Sequence, residues 1–171
     1  MMSITPAEVG SFFLTLIVPI MTGVAAAGFT AYFALNRFYR EKWWEKKHAA
    51  YNQLIDNLLE IKSIYNHAYN IGDRSYQAAM QDRIIPEETA DWGRLYELNA
   101  QLHRFYVLAP ISLSSSTRQL LSNFFKKTAD SEYSIYEEGM PDFLAYGERA
   151  SFAQNLIDSI VKDAEFELKF K

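Results

Sequence analysis

Twenty-eight consecutive uncharged residues, VGSFFLTLIVPIMTGVAAAGFTAYFALN at positions 9–36, lie between Glu8 and Arg37. About 20 apolar residues in helical form span the hydrocarbon core of a bilayer, so this run predicts a transmembrane helix with length to spare. The eight residues before it, MMSITPAE, carry no basic residue. A cleaved secretory signal needs a positive start, a shorter apolar run and a small-residue cleavage site, so the stretch reads as a retained anchor. The chain accordingly divides into a membrane segment at 1–36 and a water-facing part at 37–171, long enough for one domain with its own core.

Charge on the flanks sets the orientation. Glu8 stands on one side, and Arg37, Arg40, Lys42, Lys46 and Lys47 stand on the other. Basic residues beside a span stay cytoplasmic, which predicts a single pass through the inner (plasma) membrane with the N-terminus out and the C-terminus in. Trp43 and Trp44 join Arg37, Arg40 and Lys42 at this boundary, where amphipathic rings and long basic stems suit the headgroup layer.

The span is uneven. Its first half is bulky, and Pro19 removes one backbone hydrogen bond and predicts a kink. Its second half is small. Gly23, Ala27 and Ala31 step by four along one face, with Thr30 and Ala34 beside them. Small residues at this spacing let helix backbones approach closely in lipid, so the face predicts self-association. Thr15, Thr22, Thr30 and Asn36 are the polar positions, and in an assembly around a pore they are the candidates to face it.

Past the membrane the pattern stays helical. Neither Gly nor Pro occurs from Arg37 to Ala68, while Tyr51, Leu54, Leu58, Ile61, Tyr65 and Ala68 alternate three and four apart as a heptad seam. Asn70-Ile71-Gly72-Asp73 offers a stop, with Gly72 placed for a left-handed C-cap. A helix over 8–70 would be roughly 95 Å long and would join membrane and cytosol rigidly. Residues 73–91 are ambiguous, with Pro86-Glu87-Glu88 as a helix start. A face made of Trp92, Leu95, Leu98, Leu102, Phe105 and Tyr106 follows, and Ala109-Pro110 breaks it. Ser114-Ser115-Ser116 supplies an N-cap for a helix that carries Leu120, Leu121, Phe124 and Phe125 and fades near Lys127. Residues 129–142 read as a connection, and a last helix covers about 142–168. No strand pattern or repeat emerges. The fold class is therefore all-α, a span continuing into a cytosolic helical bundle.

Little chemistry is visible. The net charge of -4 and pI near 5.4 argue against nucleic acid as a partner. With no cysteine, thiolate metal sites and disulfides are excluded. His48, His67 and His103 lack zinc-site spacing, and no Gly-rich phosphate loop or nucleophile elbow occurs. The pairs Glu87-Glu88 and Glu137-Glu138 read as solvated charge. No cofactor, metal or enzymatic activity is predicted. Asn99, His103 and Arg104 share neighbouring helical turns and form a polar cluster that is a candidate for binding RNA or phosphate.

The run F-Y-R-E-K-W-W-E-K-K-H-A-A-Y-N-Q-L-I-D-N-L-L-E-I-K after an N-terminal span resembles small single-pass helical proteins of bacterial defence loci. In plan and length the chain is similar to the accessory membrane proteins of type VI-B CRISPR systems. That resemblance rests on architecture. It implies a fold related to HEPN ribonucleases, assembly into ring-like membrane pores, and a role in antiviral defence by permeabilising the membrane. HEPN catalysis uses an Arg with a His four to six residues later. Arg40 to His48 and Arg94 to His103 are spaced too widely, so ribonuclease activity is not carried over. Partners expected are the bilayer, other copies of the chain and a cytosolic protein. The readings open on sequence are a pore-forming or pore-gating oligomer, a membrane-tethered adaptor, and a divergent RNA-binding or nuclease protein.

Overall fold

The computed structural model describes residues 6–138 and 140–169. Part of the N-terminal stretch discussed above and Gly139 lie outside them. The chain is all-α: α1 is Pro6–Met80, α2 Trp92–Ser112, α3 Ser115–Glu138 and α4 Asp142–Leu168. It forms two compact units, one over residues 1–44 and one over 45–171, and α1 contributes residues to each.

The second unit is an up-down-up-down bundle. Side-chain pairs count up α1 while counting down α4: Lys47 with Glu167, Tyr51 with Asp163, Lys62 with Gln154, Tyr69 with Phe143. Likewise Asn57 and Glu60 of α1 meet Gln101 and Arg94 of α2, and Lys127 of α3 lies over the Phe152 ring of α4. Every helix offers a seam spaced alternately three and four, the spacing that keeps one face toward its neighbours in a coiled-coil-like bundle. On α1 the seam is Tyr51, Leu54, Leu58, Ile61, Tyr65 and Ala68, all buried. On α4 it is Ala150, Ala153, Ile157, Ile160 and Ala164. Large side chains on α1 thus oppose mostly small ones on α4.

Four boundaries differ from the sequence reading. First, α1 does not stop at Asn70–Asp73 but runs to Met80, with Gly72 inside the helix. Gly72 is there for close packing. A Cβ on it would overlap the Cβ of Phe143 and stand 3.0 Å from its Cγ. The real stop lies beyond Met80, where Asp82 takes φ 54°. The Arg83 N–H donates to Ala78 O (2.9 Å) and the Asp82 N–H to Ala79 O (3.2 Å). These two bonds form a Schellman cap with Asp in the place usually held by Gly. Second, Pro86 starts no helix. α2 begins at Trp92, because the Asp91 carboxylate accepts the Arg94 N–H at 2.9 Å as its N-cap.

Third, Pro110 does not break α2, which continues to Ser112. Ala109 is buried on the seam while Pro110 is exposed, and the Leu113 N–H still reaches Ala109 O at 2.9 Å. Fourth, α3 does not fade at Lys127 but reaches Glu138. Its seam is Thr117, Leu121, Phe124, Thr128, Ser131 and Ile135, all buried or half-buried. Two of the last three are hydroxyl residues, so hydrophobicity alone does not reveal them. Ser114 does cap this helix, its Oγ accepting the Thr117 N–H at 2.9 Å. α4 occupies the stretch expected of it.

Candidate functional site

The first unit holds the membrane candidate. α1 is long and apolar enough to cross a membrane, with an 18-residue window of mean hydropathy 1.6 of which nothing is buried within the protein. Gly23, Ala27, Thr30, Ala31 and Ala34 are all exposed. A Cβ added to Gly23 or Gly28 would meet nothing within 4 Å among the described residues. Thr15, Thr22 and Asn36 are exposed as well. The Thr22 hydroxyl donates to Val18 O (2.8 Å) and that of Thr30 to Ala26 O (2.9 Å). Both hydroxyls are thereby satisfied within the helix, as hydrocarbon demands. Pro19 lies inside the helix and offers no N–H to the carbonyl four residues earlier.

At the boundary, Arg37 pairs with Glu41 at 2.8 Å one turn on. Arg40, Lys42 and Trp43 are exposed and Trp44 is half-buried. The rings of Tyr32 and Phe33, and of Phe38 and Tyr39, meet edge to face at 5.8 and 6.0 Å.

Four polar nodes join elements of the second unit, beside the Asn57–Gln101 and Lys62–Gln154 pairs. In the first, Asp163 Oδ2 of α4 accepts from Tyr51 of α1 (2.9 Å) and from Ser114 and Thr117 at the start of α3 (2.5 Å each). Burial alone would raise the Asp163 carboxyl, but the hydrogen bonds from Ser114, Thr117, Tyr51 and Ser116 outweigh it and hold the carboxyl below its usual range. Burial also pushes the Tyr51 phenol up to about 12, with Asp163 adding to the rise. One turn away, Lys47 is buried and paired with Glu167. This node ties three helices together. His48, His67 and His103 all lie in other contacts.

In the second node Arg94 of α2 grips Glu60 of α1 through Nε (2.6 Å) and Nη2 (2.8 Å), and its Nη1 reaches Glu97 at 3.1 Å. Hydrogen bonding to Arg94 holds the Glu60 carboxyl below its ordinary value. In the third, Glu88 is not merely solvated charge. It accepts from Arg74 at 2.7 Å and lies 3.4 Å from His67 Nε2, fastening the 83–91 loop to α1. His67 lies within α1, which continues past it to Met80. Glu137 and Glu138 fall in the last turn of α3 and not in a connection.

The fourth node centres on Arg149, which is 8% exposed. Its guanidinium lies 6.0 Å from the Tyr65 ring and 5.9 Å from the Tyr146 ring. Burial raises the Tyr65 phenol, and hydrogen bonds from Arg149 and Asn99 offset part of that rise. Asn99 is therefore turned toward the bundle. His103 instead stacks flat on Phe125 of α3, with centroids 4.2 Å apart and planes at 6°. Arg104 is exposed. Asn99 and His103 thus make different contacts within the bundle. No group of three or more His, Asp or Glu side chains suited to a metal occurs among the described residues.

Sequence reasoning placed Tyr51 and Tyr65 on the seam but missed Asp163, Ser114, Thr117 and Arg149 as their partners. The available signal was polar residues recurring at seam spacing. Comparison of the chain with protein-family models, curated proteins and solved structures found no match.

Proposed function

We propose that this chain is a single-pass membrane protein whose span associates with copies of itself, and that the assembly forms or gates a pore. The N-terminus lies outside and the bundle in the cytoplasm, since the basic residues Arg37, Arg40, Lys42, Lys46 and Lys47 all follow the span. The observation that carries this reading is the bare small-residue face. Gly23, Ala27, Ala31 and Ala34 meet lipid or another copy, and close helix contact is what such a face favours. The bundle would then hold the subunits in register on the cytoplasmic side. No catalytic role is assigned to it. The architectural resemblance to CRISPR accessory membrane proteins adds a setting, defence against invading nucleic acid at the cell membrane.

One observation favours a second reading. Thr22 and Thr30 satisfy their own hydroxyls against the helix, as residues facing lipid do. In that reading the span only anchors, and the bundle is an adaptor for a cytosolic protein. Reconstitution into vesicles loaded with a small fluorescent dye separates the two. Pore formation predicts dye release, lost in the Gly23→Leu and Ala27→Leu variants. Intact vesicles at every protein-to-lipid ratio would refute the pore and leave the adaptor.

A further inference from the structure

Three buried donor atoms have no hydrogen-bond partner among the described residues: Arg149 Nε, Arg149 Nη2 and Ser131 Oγ. Arg149 is 8% exposed and Ser131 5%. Guanidinium is charged at every physiological pH, and removing such a charge from water without a counter-ion carries a heavy desolvation cost. Stacking against Tyr65 and Tyr146 offsets part of that cost, but it does nothing for N–H groups lying in the guanidinium plane.

The identity of the unpaired atoms carries chemical information. Nε and Nη2 form one edge of the guanidinium, with two roughly parallel N–H bonds. That edge matches two oxygens of a carboxylate or phosphate. The same edge of Arg94 is satisfied in this way by Glu60. Arg149 has an equivalent edge with no partner on it among the described residues. Lys127 of α3 lies over Phe152 of α4, and these helices are antiparallel. One turn farther along, the register brings Ser131 level with Arg149. Tyr65 of α1 and Asn99 of α2 complete the surroundings, so all four helices contribute a polar group.

We propose that this buried node binds a small oxyanion, held bidentate by Nε and Nη2 of Arg149 with the Ser131 hydroxyl as a third donor, and that the anion locks the four helices together. The ligand chemistry is that of phosphate or carboxylate. The proposal stands apart from the pore reading, since it concerns only the bundle.

The test is thermal unfolding of the full-length protein in detergent, in sodium chloride, sodium phosphate and sodium acetate at equal ionic strength and pH. Phosphate at tenfold its dissociation constant should raise the melting temperature by roughly 3 to 5 °C, and acetate tells whether a carboxylate does better. Phosphate also stabilises folded proteins non-specifically, so the readout is the difference between wild type and variant. Arg149→Met should abolish the specific shift and melt higher than wild type in chloride, because it removes the unpaired charge. Should that variant not fold, Arg149→Lys and Ser131→Ala decide: each keeps much of the packing, and each should weaken the anion response several-fold. A wild type that responds to neither anion beyond chloride, or a response undiminished in the variants, overturns the proposal.

Discussion

Replacing Gly72 with alanine is expected to destabilise the bundle by about 2 to 3 kcal/mol, the scale of overpacking a close helix contact. The sign is what makes this informative. In a helix interior with open space, Gly→Ala gains about 1 kcal/mol from helix propensity. Here the new methyl would overlap Phe143 Cβ and press toward its backbone, which lies 3.4 Å away at Cα. A rotamer change cannot relieve that, because the overlap is with atoms next to the main chain. α1 and α4 would have to separate locally, disturbing the contacts of Phe143 with the Tyr69 and Tyr76 rings at 6.0 and 5.7 Å. Gly147 makes the reciprocal approach from α4, where a Cβ would stand 2.9 Å from the Tyr69 ring. Thermal unfolding of Gly72→Ala, Phe143→Gly and the double variant checks the account. The two changes should be strongly non-additive, since removing the Phe143 Cβ opens the space that the new methyl needs. A stabilised Gly72→Ala would mean that α1 and α4 do not meet there.

Asp163→Ala is expected to cost about 2 to 3 kcal/mol, more than an exposed aspartate would, because hydrogen bonds to a charged group are the strong ones. Its carboxylate collects the hydroxyls of Tyr51, Ser114 and Thr117, which join α1, α3 and α4. Asp163→Asn keeps one acceptor and should lose less. The node also predicts a pH window. Asp163 is held below its ordinary value in the folded state, so its contribution is present above the unfolded pKa of about 3.9 and is lost as pH falls through the lower folded value. Tyr51 is pushed up to about 12, so its contribution is whole below about 10 and is lost as pH rises from there toward about 12. Stability measured against pH should therefore fall at both extremes in wild type. The acid limb should weaken in Asp163→Asn, and an unchanged acid limb would remove Asp163 from the account.

The helical class, the long apolar N-terminal helix and the α4 boundaries were legible in the sequence because each rests on local periodicity. An apolar run of 28 residues and the helical pattern of about 142–168 need no knowledge of neighbours. The errors arose where a local cue was ambiguous. Gly72 has the same identity whether it caps a helix or lets another helix in, and only the position of Phe143 decides. Pro110 breaks a helix when its missing N–H is needed, and near the end of α2 it is tolerated because the buried face continues through Ala109. The tail of α3 was hidden because Thr128 and Ser131 occupy seam positions that a hydrophobicity pattern expects to be apolar. The polar nodes were the least legible part. Asp163 is 112 residues from Tyr51, and nothing local to either names the other. The small-residue face, by contrast, is entirely a matter of sequence spacing, and its residues are exposed.

Self-association through that face is the central claim. Its most direct test is native mass measurement of the full-length chain in lipid nanodiscs, alongside the Gly23→Leu and Ala27→Leu variants. The account predicts a discrete oligomer for wild type and a shift toward monomer in both variants, with the helical content of the bundle unchanged. A strict monomer for wild type, or an oligomer that both leucine variants leave intact, would contradict it.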